Sequence, residues 1–155
     1  MRISLLDPYT EAAGKLLALS DALMASLYPA ESNHMEGPQS LASENVLFVG
    51  GYVDGELVGC GAFKKMSDDA HYGEIKRVYV LEQHRGRGYS KKIMLHLEAE
   101  LCAAGIPLAR LETGNKQPEA LALYQKLGYV ERPPFGKYQP DPLSIFMEKA
   151  LPPAV

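Results

Sequence analysis

The chain has 155 residues, 46% of them apolar and 23% charged, with a formal net charge of −3. That length suits one domain with one sizeable core, and that composition argues against disorder. The small negative charge disfavours a nucleic-acid polyanion as the main partner, although a local basic cluster can still hold a small anion.

Residues 1–6 read as a short strand closed by Asp7-Pro8, and their apolar run is too short for a signal peptide. Residues 9–26 read as a helix, with Ala12, Leu16, Leu19 and Leu23 at helical spacing, stopped by Tyr28-Pro29. Residues 31–44 are polar and hold Gly37-Pro38, which predicts a loop with a short second helix. Residues 46–53 and 56–65 flank Asp54-Gly55, a strong two-residue hairpin signal. A third strand over 71–80 follows the polar turn Ser67-Asp68-Asp69. A glycine-rich turn then opens a helix over 88–104, with Tyr89, Ile93, Leu97 and Leu101 as its buried stripe. Gly105 and Pro107 end that helix. Residues 108–113 read as a strand and 118–127 as a helix, with Pro118 in its first turn and Gly128 past its end. Two last strands over 129–131 and 143–149 are separated by a Pro/Gly-rich loop.

This order implies an α/β protein of the α+β kind, with one mixed sheet and helices packed on it. No linker or repeat interrupts it, so residues 1–150 form one expected domain and 151–155 a short tail. No apolar stretch is long enough to span a bilayer. Cys60 and Cys102 form no CxxC pair and are too few for a disulfide scaffold. A reduced, cytoplasmic protein without a membrane partner is the expectation.

The segment Gln83-His84-Arg85-Gly86-Arg87-Gly88-Tyr89-Ser90 joins a predicted strand to a predicted helix. Glycines there allow a sharp turn and close approach of a ligand to the main chain. The unpaired N–H groups of the first helical turn and the helix dipole favour an anion. Arg85 and Arg87 add full charges, with Lys91 and Lys92 following, so the segment forms a cradle for a phosphate or pyrophosphate. It lacks the GxxxxGK[ST] of a P-loop, and lysine stands where a dinucleotide fingerprint needs its third glycine.

Gln83-x-x-Gly86-x-Gly88 resembles the Q/R-x-x-G-x-G/A signature of the GNAT superfamily of N-acetyltransferases. Ala122-Leu123-Tyr124-Gln125-Lys126-Leu127-Gly128-Tyr129 is similar to that family's A-x-x-Y-x-K-x-G-F/Y segment. The resemblance implies a GNAT-like acyl-CoA N-acyltransferase fold, whose central, mostly antiparallel sheet is splayed and flanked by helices. It implies acetyl-CoA as cosubstrate, its pyrophosphate on the glycine turn, and acetyl transfer to a primary amine of a small molecule or protein. Family members that take a longer acyl-CoA, or that bind acetyl-CoA as non-catalytic sensors, are the alternatives. Dimers are common in the family, so a homodimer is compatible with it.

Acyl transfer from a thioester to an amine makes three demands. The amine must lose its proton, because an alkylammonium with a pKa of roughly 10 has no lone pair. The tetrahedral oxyanion needs a hydrogen-bond donor placed in advance. The departing thiolate needs a proton. By resemblance, Glu74 matches the glutamate that some members use as base, and Tyr124 the tyrosine that protonates the sulfur. The oxyanion donor would be a main-chain N–H of Val78, Tyr79 and Val80, which also pair with the pantetheine arm. Cofactor contacts are further expected from Gln83, Arg85, Gly86, Arg87, Gly88, Tyr89 and Ser90. Gln117 stands where many relatives carry a cofactor-binding asparagine, and Asn115 is the substitute from the preceding loop.

The loops at 28–34 and 135–142 border the acceptor site in the family. Glu31, His34, Tyr138 and Asp141 are the candidate acceptor contacts there. Glu31 and Asp141 would suit a cationic amine, whereas Arg132 or Lys137 would suit an acidic one. His34, His71, His84 and His96 share no ligand spacing, so no metal is assigned. Neither cysteine has a His-Asp partner, which favours direct attack by the amine over a covalent acyl-enzyme.

Overall fold

The computed structural model describes residues 1–33 and 35–153. In chain order it contains β1 (Arg2–Leu5), α1 (Glu11–Leu27), a single 3-10 turn (Ala30–Ser32), α2 (Pro38–Leu41), β2 (Val46–Val53), β3 (Glu56–Ser67) and β4 (His71–Val80). A second 3-10 turn (Glu82–His84) leads into α3 (Tyr89–Ala103), β5 (Leu108–Gly114), α4 (Pro118–Lys126), β6 (Val130–Arg132) and β7 (Ser144–Ala150). The seven strands form one sheet in the order β1-β2-β3-β4-β5-β7-β6. Only β4 and β5 are parallel, because α3 crosses over between them; the other neighbours run antiparallel.

The β2–β3 hairpin closes at Asp54 and Gly55, with φ of 51° and 79°. Both central residues of a tight two-residue turn need positive φ for its twist to match the strands, and Asp-Gly tolerates this. On one face of the sheet, Ile93, Met94, Leu97 and Leu101 of α3 pack with Ile75, Leu111 and Met147. The expected stripe is confirmed there, widened by Met94. On the other face, α1 buries Ala13, Leu16 and Leu17 with Phe48, Cys60 and Ala62. The expected α1 stripe is corrected: Ala12 and Leu19 are exposed, and the buried positions are Ala13, Leu16, Leu17 and Ser20. The true face follows i, i+3, i+4, i+7 spacing and ends on a polar residue whose hydroxyl meets Arg77, so hydrophobicity alone misplaced it.

Strands β4 and β5 pair at only three rungs, Gly73–Ala109, Glu74–Arg110 and Ile75–Leu111. Beyond them β5 stays with β7 while β4 stays with β3, and the sheet forks. A bulge in β4 accompanies this divergence. The register with β3 jumps from Cys60–Tyr79 to Ala62–Lys76, and Arg77 sits at φ 60°. A bulge bends its strand and increases its twist. A left-handed backbone costs a non-glycine residue about 1–2 kcal/mol, and the Arg77 side chain offsets it. Its guanidinium donates to Asp21 at 2.6 Å and to the Glu36 carbonyl at 2.9 Å. The Arg77 carbonyl accepts from Cys60 Sγ at 3.2 Å. Among the described residues, no helix is long and apolar enough to cross a membrane.

Candidate active site

At the fork lie two cavities that share Leu23, Val78, Tyr79, Gln117 and Tyr124 in their walls. The larger has a volume of about 480 Å³ and reaches from Val78, Tyr79 and Val80 to Arg85, Gly86, Gly88 and the start of α3. Gly86 and Gly88 adopt φ of 79° and 78°, and a Cβ built on either would meet nothing within 4 Å. The turn therefore needs glycine for its backbone and leaves that backbone bare. Among the described residues, no side chain caps the N-terminus of α3. The first-turn N–H groups at Tyr89, Ser90 and Lys91 accordingly have no i−4 carbonyl to meet, and these residues line the cavity. Arg85 is held beside them: its Nε donates to the Val80 carbonyl at 3.0 Å, and its guanidinium lies 5.3 Å from the Tyr79 ring centre.

This wall fits an anionic ligand. It combines a bare glycine turn, a helix N-terminus and three basic side chains, Arg85, Lys91 and Lys116, against one carboxylate, Glu119. It also holds His84, whose Nδ1 is buried without a hydrogen-bond partner. Of the expected cofactor contacts, Gln83 and Arg87 are exposed and lie outside the lining. Asn115 also lies outside it, with its Nδ2 donating to the Pro142 carbonyl at 3.3 Å. Gln117 faces both cavities.

The smaller cavity, of about 120 Å³, contains Glu74, Lys76, Glu36, Glu112 and Tyr138. Glu74 is 5% exposed. Its Oε2 accepts from the Tyr138 hydroxyl at 2.5 Å and from Lys76 Nζ at 3.2 Å. Lys76 also donates to the Tyr138 oxygen at 3.0 Å and pairs with Glu36 at 3.3 Å. Burial, followed by the charge and hydrogen bond of Glu74, holds the Tyr138 phenol far above its ordinary pKa, so it stays a donor. Burial pushes the Glu36 carboxyl up, but the Ser40 hydroxyl and the Lys76 and Lys64 ammoniums outweigh it and leave it below the usual carboxylate value. Glu112 accepts from Ser144 Oγ at 2.8 Å.

Of the expected acceptor contacts, Tyr138 lies in this cavity. Glu31 is exposed and outside it. Asp141 accepts from Ser32 Oγ at 2.6 Å and from the Leu143 N–H at 2.8 Å, which ties the two acceptor-side loops together behind the wall. His34 lies outside the described residues. Arg132 is bound to Glu148 at 2.8 Å, away from the cavity, and Lys137 is exposed. Sequence reasoning did not place Glu36, Lys76 or Glu112 in the wall. Alternation along residues 108–113 puts Glu112 on the face of Arg110, and the resemblance implied a splayed sheet without fixing that it opens between these two residues.

Tyr124 stands where the cavities meet and is 9% exposed. Its ring packs against Tyr129 with centres 6.1 Å apart. Burial and then the charge of Glu112 push its phenol up to about 12, so it keeps its proton through the neutral range. Cys60 is fully buried and its thiol is pushed up to about 12 by burial, which removes it as a nucleophile. Among the described residues, no group of three or more His, Cys, Asp or Glu is placed to hold a metal.

Known proteins carry the same arrangement of elements. The sequence profile of the Acetyltransferase (GNAT) family matches residues 16–129. An IAA acetyltransferase of Azospirillum brasilense is 42% identical over 145 residues, 94% of each chain. An uncharacterized N-acetyltransferase of Bacillus subtilis is 34% identical over 83% of this chain and 85% of its own. The crystal structure of a Klebsiella pneumoniae protein described as an acyl-CoA N-acyltransferase superposes with a TM-score of 0.79, at 38% identity and 97% coverage of both chains. A Thermoplasma acidophilum PaiA N-acetyltransferase in complex with coenzyme A, at 19% identity and TM-score 0.66 over 97% of this chain and 99% of its own, shares the fold. The chain belongs to the GNAT family of acetyltransferases and is an acyltransferase.

Proposed function

We propose that this enzyme transfers the acetyl group of acetyl-CoA to a primary amine that arrives as an ammonium. The observation that carries the reading is the meeting of an anion-binding cavity and a carboxylate-bearing cavity at Tyr124. The pyrophosphate sits on the bare turn at Gly86 and Gly88, against the first-turn N–H groups of α3 and the charges of Arg85 and Lys91. The pantetheine arm enters the fork beside residues 78–80, and the thioester reaches the junction. Coenzyme A bound by a protein of this fold supports an acyl-CoA as the cosubstrate.

The acceptor enters through the smaller cavity. Its wall bears Glu36, Glu74 and Glu112 against Lys76 and Arg77, and Arg77 is already matched by Asp21. The remaining balance is negative, which favours a cationic amine over an acidic one. Glu74 takes the ammonium proton, directly or through water, and the freed lone pair attacks the thioester carbon. A main-chain N–H of residues 78–80, where β4 has left β5, stabilises the oxyanion. As the C–S bond breaks, Tyr124 gives its proton to the thiolate, and the second proton, shed by the acylated nitrogen, returns to the Tyr124 phenolate; a phenol held at about 12 keeps its proton until that step. The limited acceptor volume supports acetyl rather than a longer chain, which would occupy the space the amine needs.

Free-thiol release from acetyl-CoA, measured against polyamines, amino acids, aminoglycosides and lysine peptides, tests the reading. Turnover is expected with small cationic amines and little with acidic ones. Tight acetyl-CoA binding with no turnover of any amine would replace this reading with that of a sensor.

A further inference from the structure

Tyr28 ends α1 in an extended conformation, with φ of −134° and ψ of 148°. The following Pro29 disfavours a helical backbone at this position, so the helix stops and the side chain leaves its axis. The phenol is carried across to β5, where it is 7% exposed. A Cβ built on Gly114 would lie 1.9 Å from Tyr28 Oη and 2.0 Å from its Cζ. The ring end therefore occupies the space that any side chain at 114 would require.

Two hydrogen bonds run through that hydroxyl in one direction. The Lys116 main-chain N–H donates to Tyr28 Oη at 3.1 Å. The Tyr28 hydroxyl donates to Gln117 Oε1 at 3.3 Å. A backbone N–H can only donate, so the phenol oxygen accepts there and its own proton is directed to an acceptor. With the phenol proton given to Oε1, Gln117 presents its oxygen to Tyr28, which leaves both protons of Nε2 for the space beyond. That space is the junction, since Gln117 lines both cavities.

We propose, resting on the acetyl-transfer reading above, that Tyr28 is a positioning residue that orients Gln117 so that Nε2 donates to a carbonyl oxygen of the acyl-CoA arm. Phenol and amide act as one unit, and losing either removes the same contact. Tyr28 keeps Gln117 from turning its amide over, and Gly114 is the small residue that admits the phenol.

The test uses the full chain as wild type, Tyr28→Phe, Gln117→Ala and the double variant. KM for acetyl-CoA and kcat are measured at saturating amine, Kd for coenzyme A by calorimetry, and Tm for each protein. Each single variant should raise KM about fivefold, the size of one neutral hydrogen bond, and the double variant no further. kcat should stay near wild type in both, whereas Tm should fall somewhat in Tyr28→Phe, which also leaves the Lys116 N–H without its acceptor, and stay near wild type in Gln117→Ala. A coenzyme A Kd that moves in step assigns the contact to a pantetheine amide; one that stays fixed while KM for acetyl-CoA rises assigns it to the thioester. Effects that multiply in the double variant, or a wild-type KM in Tyr28→Phe, overturn the proposal. Gly114→Ala, which displaces the phenol without touching its chemistry, should reproduce the KM shift, and a wild-type KM there also overturns it. A wild-type protein that binds coenzyme A but acetylates no amine would defeat the acetyl-transfer reading alone, with Tyr28 still judged by coenzyme A Kd.

Discussion

Arg110 and Glu112 lie two residues apart on the same face of β5, on either side of its last rung with β4. Arg110 is 3% exposed and is closed in on all sides. It bonds Asp69 at 2.7 and 3.2 Å and Glu148 at 2.7 Å, and lies 4.4 Å from the Tyr72 ring centre. Tyr72, Phe135 and Phe146 form a small aromatic cluster around it. Glu112, past the fork, lines an open cavity and sits close enough to raise the phenols of Tyr28, Tyr124 and Tyr138. A charge on the paired side is answered by fixed protein partners and serves stability. A charge on the open side, although it too has a protein partner in Ser144, also borders a cavity. Two residues of strand separate the roles, because strand pairing decides which side chains meet protein and which meet a cavity.

Substitutions on the two sides should therefore separate rate from stability. The largest expected effect is on the open side. Tyr124→Phe should lower kcat about 10²-fold, the usual lower range for a general acid, with coenzyme A affinity unchanged. An unaltered kcat at every pH would return Tyr124 to a packing role. On the paired side, Arg110→Met should cost about 2 kcal/mol in urea unfolding, below the roughly 3–5 kcal/mol for half of a fully buried pair, because Asp69 and Glu148 retain contact with water. KM for acetyl-CoA should not move. A KM shift without loss of stability would erase the distinction between the two sides.

The smallest effect expected is a pH dependence confined to the paired side. Arg110 first of all holds the Asp69 carboxyl below the ordinary range. For Glu148, burial raises the pKa, but the bonds from Arg110 and Arg132 overcome it and leave it lowered. A carboxyl whose folded pKa is depressed binds fewer protons in the folded state than in the unfolded state. Its contribution is complete above the unfolded value of about 4 and is lost as pH falls through the folded value. Urea midpoints should accordingly decline below about pH 4, and Arg110→Met should flatten that decline. An equal decline in both proteins would place the acid-sensitive groups elsewhere.

Much of the fold was legible because its signals are local. Asp54-Gly55 specified a hairpin through the φ angles that these two residues accept, and Gly86 and Gly88 specified the anion turn in the same way. The α3 stripe was legible from spacing because Ile93, Leu97 and Leu101 in it are apolar, although the buried face also takes in Glu98. The α1 stripe was misplaced because Leu19 points to solvent while Ser20 is buried against Arg77. The bulge at Arg77 gave no sign at all. A left-handed arginine is tolerated only because Asp21 and the Glu36 carbonyl, 56 and 41 residues distant, hold its side chain.

The same boundary divides the site. Sequence alone marked the turn at Gly86 and Gly88 as a candidate anion site, because a glycine turn on a helix N-terminus needs only neighbouring residues, whereas Glu74, Tyr124 and Tyr138 were singled out by resemblance to the family. Tertiary structure decided that β4 and β5 part after Ile75 and Leu111, and with that which charges face the acceptor. Glu36, Lys76, Glu112 and the Tyr28–Gln117 pair come from separate elements. They converge only once the sheet has forked, and no local preference in the chain encodes where two strands stop pairing.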